Sequence, residues 1–424
     1  MLTCIKYQQR ESPIPVRAAC ASLASALLFL AAMGGFTASA ASPLCPPEGA
    51  WSASMSGDIC VPAGDASLPV ALTGVSARGA VLMEAESGDV VFGQNQNARL
   101  PMASTTKIMT ALVALDALPL STVVTITEKA VGVEGSSIYL VEGERLTLEE
   151  LLYALLLESA NDAATAIAIA VAGSVEAFAT LMNEKAATLG LKDTRFVNPH
   201  GLDDPHHYTT ARELALVARA ALDDPTFREI CSTERKVIPL HGDEGVRVLI
   251  NHNRLLASYE GCIGVKTGYT KKTGRCLVSA AERDGVTLIA VTLNAPDDWR
   301  DHTAMLDYGF SLYRSVILCE PGFYAAPLWM VNGRQDYVMV ENTASLHAVL
   351  RKDHGAIRCV VELPRFDFAP LQAGEILGQL RFYEETPGGT HRDLGCVPLC
   401  AAYSIEAVTY RQSLWERIRG AWIG

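Results

Sequence analysis

Residues 262–293 read CIGVKTGYTKKTGRCLVSAAERDGVTLIAVTL, and this stretch decides the fold. Three short apolar runs, Ile263 to Lys266, Cys276 to Ala281 and Val286 to Leu293, are separated by glycine-containing turns. Runs of that length with such punctuation predict neighbouring β-strands. Upstream, Gly79 to Ala85 and Val90 to Phe92 flank Ser87-Gly88-Asp89, which predicts a β-hairpin. Helical signals fill the interval. Apolar residues recur at helical spacing from Ala103 to Leu115, and Thr147 with Glu150 forms a capping box ahead of a Leu-rich helix through Leu157. The chain breaks at Ser159-Ala160-Asn161 and resumes as an Ala-rich helix to Ala172; Thr210 and Glu213 cap another helix in the same manner. A last helix runs from Trp299 to Tyr313. Hairpin, helices, three strands, helix: that order predicts an α+β domain over 74–315, a helical lobe inserted into an antiparallel sheet.

The flanks differ in character. Lys6, Arg10 and Arg17 precede an apolar run from Ala18 to Met33, and Ala38-Ser39-Ala40 has the form of a cleavage site, so residues 1–40 are expected to be an export signal. The run falls short of the roughly 20 residues of a spanning helix. Residues 41–73 are rich in Pro, Gly, Ser and Ala and are expected to be a linker. From 316 to 403 the composition predicts a small β-rich domain. In 404–424, Leu414, Ile418 and Trp422 share one helical face beside Trp415, while Arg411, Arg417 and Arg419 add charge, the pattern of an amphipathic helix at a membrane surface. A helix packed on its own domain is the other reading.

Composition excludes some partners. The net charge of −12 leaves no basic stripe for nucleic acid. Eleven cysteines are present, of which Cys4 and Cys20 leave with the signal, so at least one of the remainder is unpaired within a monomer. Cys45 with Cys60, and Cys396 with Cys400, lie nearest in sequence; export permits disulfides without requiring them. No Cys-x-x-Cys pair occurs, which argues against a zinc ribbon.

Three short motifs carry chemistry. Ser104-Thr105-Thr106-Lys107 opens a predicted helix, and a spacing of three puts hydroxyl and amine on one face, one turn apart. A serine needs such a base to act as a nucleophile. A capping serine followed by a surface lysine is the plainer alternative. Ser159-Ala160-Asn161 sits in a break between helices, where a hydroxyl and an amide can enter one cleft or merely cap the next helix. Lys266-Thr267-Gly268 ends an apolar strand, suiting an anion laid along a strand edge, with glycine admitting close approach. Lys272-Thr273-Gly274 spells the same letters but lies in a polar turn.

In this order, on these elements, the trio resembles that of penicillin-binding proteins and class A β-lactamases. The chain is similar to the D-alanyl-D-alanine carboxypeptidases of the low-molecular-weight penicillin-binding protein family. Pro101 to Ala111, Glu158 to Ala164, Asn198 to Leu202, Tyr208 to Arg212, Gly264 to Thr270 and Leu306 to Phe310 all carry the likeness, which covers about residues 75–312. The resemblance implies a β-lactamase/transpeptidase-like domain, no cofactor, β-lactam inhibition and a peptidoglycan stem peptide as substrate. It implies that Ser104 attacks the carbonyl between two D-alanines with Lys107 as base, and that Ser159 passes the proton to the leaving amine. Asn161 would hold the peptide, Lys266, Thr267 and Gly268 the terminal carboxylate, and the N–H groups of Ser104 and Tyr269 the oxyanion. Arg300 would assist with the carboxylate.

Three rivals are weighed against this. His200, Asp203, Asp204, His206 and His207 crowd one loop and could serve a zinc peptidase. A β-lactamase needs a glutamate and water in a dedicated loop, and no Glu-x-x-Leu-Asn segment lies between the second and third motifs. A non-catalytic wall-binding protein would tolerate loss of a motif, whereas all three are intact.

Overall fold

The computed structural model describes residues 59–61, 69–240, 245–385 and 389–408. The expected signal at 1–40 and nearly all of the terminal helix lie outside them. A five-stranded antiparallel sheet runs in the order Val90–Gln94, Gly79–Glu84, Val286–Leu293, Gly274–Arg283, Cys262–Thr270. The hairpin of the sequence thus pairs with the last of the three distant strands, and the strand carrying Lys266-Thr267-Gly268 is left at the sheet edge.

The strands read as unbroken apolar runs because both faces are covered. On one face Val81, Met83, Val278, Ala280, Ile289 and Val291 join a core built mainly from the helical lobe. On the other, Ala80, Leu82, Leu277, Ala281, Leu288 and Ala290 pack with Met305 and Leu306 of the helix Asp298–Leu312. Period-two alternation therefore sorts apolar residues between two cores instead of between core and water. Each fully buried Val, Leu, Ile or Met among them stabilises the fold by roughly 1.5–3 kcal/mol.

The helix starts are set by their caps. Thr147 and Glu150 form the complete box at the head of Leu148–Leu156. Thr210 accepts from the Glu213 N–H at the head of Ala211–Leu222, but there the likeness ends. The Glu213 carboxylate turns away to the backbone N–H groups of Lys192 and Asp193 and to the Thr194 hydroxyl, tying down a turn that would otherwise leave buried donors unmet. Among the described residues no single helix is long and apolar enough to cross a membrane.

The chain then builds a second core in a seven-stranded sheet around Leu328, Val338, Val340, Leu380 and Phe382. Two features differ from the sequence expectations. Ile59–Val61, inside the expected linker, pairs with Ile357–Glu362 and forms one edge of this sheet. Ser404–Val408, the start of the expected helix, is extended, with bridges from Ile405 to Leu371 and from Ala407 to Gly333. Cys396 is disulfide-bonded while Cys400 is a buried free thiol, so sequence proximity did not pair them.

Candidate active site

Ser104 lies in a 3-10 turn, Ala103–Thr106, that runs straight into the helix Lys107–Ala117. The turn starts from Ala103 at φ 48°, an uncommon conformation for a residue with a side chain. It is held by the loop 198–207. Gly201, at φ 88°, lies so close that a Cβ there would stand 1.9 Å from the Ala103 carbonyl oxygen. His207 Nε2 meets the Thr106 hydroxyl at 2.7 Å, and its Nδ1 accepts from the Val197 N–H at 3.1 Å. Asp203 accepts from the hydroxyls of Thr270 and Thr273, each at 2.9 Å. The His- and Asp-rich loop is thus a bracket joining the nucleophile's turn to the end of the motif strand. Burial pushes His200 down to about 3 and His207 down to about 4, so both are neutral at physiological pH.

Lys107 is fully buried, and its ammonium nitrogen reaches three oxygens: Ser104 Oγ at 3.1 Å, Asn161 Oδ1 at 2.6 Å and the His200 carbonyl at 2.8 Å. Burial first, and then the nearby Lys266, push its pKa well below the usual lysine range, with Asp162 opposing. Such an amine is poised to lose a proton and then take one from a hydroxyl at hydrogen-bond distance.

Ser159 and Asn161 come from the break between Leu148–Leu156 and Asn161–Ala172. Ser159 takes φ 59° and is 5% exposed, its side chain lining the cleft. Asn161 is engaged at both ends of its amide, accepting from Lys107 and donating to the Glu134 carbonyl at 2.5 Å. It holds the lysine in place and leaves one N–H for a ligand.

The motif strand brings the third set. Lys266 is 2% exposed and donates to the Thr267 carbonyl at 3.1 Å; burial lowers it to about 7, opposed by Glu158. Gly268 passes so near the nucleophile that a Cβ would sit 3.0 Å from the Ser104 nitrogen. The later Lys272-Thr273-Gly274 lies in the turn that follows.

A cleft of about 310 Å³ is lined by Ser104, Ser136, Ser159, Thr267, Gly268 and Tyr269, together with His252, Arg254, Arg275, Cys276, Asp298 and Trp299. Lys107, Asn161 and Lys266 stand behind this wall. Arg300 does not reach it. On the helix Asp298–Leu312 it sits two residues, hence about 200°, beyond the cleft-facing Asp298, and its guanidinium pairs with Asp297 at 3.1 Å, 71% exposed. Two arginines line this wall, Arg254 and, on the strand beside the motif, Arg275. Arg275 faces Tyr269 across the strand pair, and its guanidinium bonds Asp298 at 3.0 Å and lies 5.9 Å from the Trp299 ring centre. Sequence reading missed Arg275 and His252; the one available signal for Arg275 was its position on the strand next to the motif.

Residues 66–297 match the model of the D-alanyl-D-alanine carboxypeptidase family. The chain is 34% identical to D-alanyl-D-alanine carboxypeptidase DacF of Bacillus subtilis over 72% of its length and 80% of that protein. Among solved structures, penicillin binding protein 5 of Haemophilus influenzae matches over 80% of this chain and all of its own, with 25% identity and a TM-score of 0.58. The Streptomyces K15 DD-transpeptidase matches over 57% of this chain and all of its own, with 34% identity and a TM-score of 0.55. With a buried lysine joined to a serine at a strand edge, and likeness of this extent around them, the chain belongs to the D-alanyl-D-alanine carboxypeptidase family.

Proposed function

We propose that this protein removes the terminal D-alanine from peptidoglycan stem peptides through an acyl-enzyme on Ser104. The observation that carries the reading is the 3.1 Å contact between Ser104 Oγ and a fully buried lysine whose charge is destabilised. Neutral Lys107 takes the Ser104 proton as Oγ attacks the penultimate D-alanine carbonyl. In this reading the N–H groups of Ser104 and Tyr269 stabilise the oxyanion, close to Gly268, which passes near the Ser104 backbone. Ser159 then relays that proton from Lys107 to the leaving amine, D-alanine departs, and water attacks the ester by the reverse route, which returns Lys107 to its neutral form. Lys266 and Thr267 receive the substrate's terminal carboxylate.

Purified protein given a peptide ending in D-Ala-D-Ala is expected to release one D-alanine per chain. Chelators should leave the rate unchanged and benzylpenicillin should stop it. Chelator-sensitive release would support the zinc alternative, and rapid consumption of the penicillin would support a β-lactamase.

In this reading the second carboxylate contact comes from Arg275. Arg275→Ala is expected to raise KM for the free-acid peptide about 10–100-fold, the size of a lost charge-assisted hydrogen bond. Arg300→Ala should stay within about twofold, as expected for an exposed pair. The reverse ranking in steady-state kinetics would return the role to Arg300.

The export signal and the basic, tryptophan-bearing tail support a location outside the cytoplasm, peripheral to the outer face of the cytoplasmic membrane.

A further inference from the structure

The second sheet has an outward face that departs from the usual polar pattern at one edge. Phe366–Phe368 runs parallel to Ala325–Val331, which pairs antiparallel with Tyr337–Asn342. The register sets Tyr337 and Phe366 on either side of Trp329, and Phe368 beside Val331. These five are exposed: Trp329 61%, Val331 41%, Tyr337 46%, Phe366 51% and Phe368 60%. Trp329 packs edge-on to Tyr337 at 6.4 Å, and Phe366 edge-on to Phe368 at 5.7 Å, so the rings form one continuous surface. Alternate residues of the same strands, Leu328, Met330, Val338 and Val340, fill the core, so the strands are in register and the aromatic face is truly outward. On the opposite side of this sheet, outward positions include the charged pair Arg358 and Glu385. A contiguous apolar face on a sheet edge marks an interaction surface.

Two observations select its occupant. The last described residue, Val408, donates to the carbonyl of Asn332 at 2.9 Å, next to Val331, so the described chain ends at the rim of the aromatic face. The residues that follow include Trp415 and Trp422 with Arg411, Arg417 and Arg419, a composition suited to an anionic bilayer surface. The face itself is made of Trp, Tyr and Phe, the side chains that gather at the membrane–water boundary. Pairing with a second copy by strand addition is hindered, because Pro364 and Pro370 bracket the edge strand.

We propose that Trp329, Val331, Tyr337, Phe366 and Phe368 form a lipid-interfacial surface that seats the β-domain on the bilayer, acting jointly with segment 409–424. The proposal rests on the peripheral-membrane reading above and adds a second contact to it. Two weak contacts joined in one chain bind far more tightly than either alone, because the first raises the effective concentration of the second.

The test is sedimentation of the full chain with vesicles of three parts phosphatidylcholine to one part phosphatidylglycerol. The variant carries Trp329→Ser, Phe366→Ser and Phe368→Ser, and labelling of Ser104 by fluorescent penicillin serves as the folding control. Vesicle affinity is expected to fall at least about tenfold with labelling unchanged, the loss of one of two linked contacts. Deletion of 409–424 should leave weak binding that the triple substitution then removes. Wild-type affinity in the triple variant overturns the proposal. So does tighter binding on deletion, which would mean that the tail covers the face, and so does a dimer in solution that the triple variant abolishes. Failure of the wild-type chain to bind vesicles overturns the peripheral-membrane reading itself, a separate outcome.

Discussion

Lys107→Met is expected to slow acylation of Ser104 by fluorescent penicillin by about 10³-fold or more, equivalent to about 4 kcal/mol of barrier. Methionine fills a similar volume and brings no charge, so it suits a fully buried position. The lost rate then reports the lost base. The three oxygens that Lys107 serves lose their donor, so a somewhat lower Tm with the fold retained should accompany the lost activity. Ser104→Ala should remove labelling altogether.

The pH dependence follows from the same contacts. Lys107 must be neutral to accept the Ser104 proton, so the acylation rate rises as pH climbs through its depressed pKa. Lys266 must be an ammonium to hold a carboxylate, and burial lowers it to about 7, so binding to the free enzyme weakens as pH rises past that value. The expected profile of kcat/KM is a bell, with its alkaline limb set by Lys266. An alkaline limb that persists in Lys266→Met would remove that assignment. A Lys107→Met variant that labels at the wild-type rate would remove the base.

Gly201→Ala is the second large effect. The position has φ 88°, and the added methyl would lie 1.9 Å from the Ala103 oxygen and 2.4 Å from its carbon. No flexible side chain can yield, since both atoms are backbone of the turn that carries Ser104. A cost of about 3–5 kcal/mol is expected. Labelling should fall by about 10²-fold or more, because a nucleophile displaced by about 1 Å loses that much. Gly190→Ala is the matching control, at φ 74° with nothing within 4 Å of the added carbon, and should cost about 1 kcal/mol. Thermal melts and labelling rates that do not separate the two variants would mean that the loop yields freely.

How much of this was legible in the sequence follows the range of the forces involved. The hairpin, the Thr147–Glu150 box and the existence of the three later strands were readable from neighbours a few residues away, while the strand limits were not: the motif strand runs on to Thr270, past the expected Lys266. The three motifs were readable because each is a short run with its own chemistry. Arg275 was not, since it enters the cleft through cross-strand register with Tyr269, and register is a property of two segments. Arg300, expected to assist with the carboxylate, lies in the structure beside Asp297 and largely in solvent, a placement set by the phase of its helix. Beside the substrate contact expected of Asn161, the structure gives its amide two further partners far off in sequence, Lys107 and the Glu134 carbonyl. The Ile59–Val61 strand was hidden in a stretch whose composition suggests no regular structure, because its reason for being extended is the partner at Ile357–Glu362.

That same pairing imposes a timetable. A ribosome makes Ile59–Val61 early and its partner only in the last part of the chain. The catalytic half, whose five strands all lie between Gly79 and Leu293, can close before then. The second sheet has to wait for Ile357–Glu362, so its first strand stays unpaired until the later part of the chain has emerged where folding takes place.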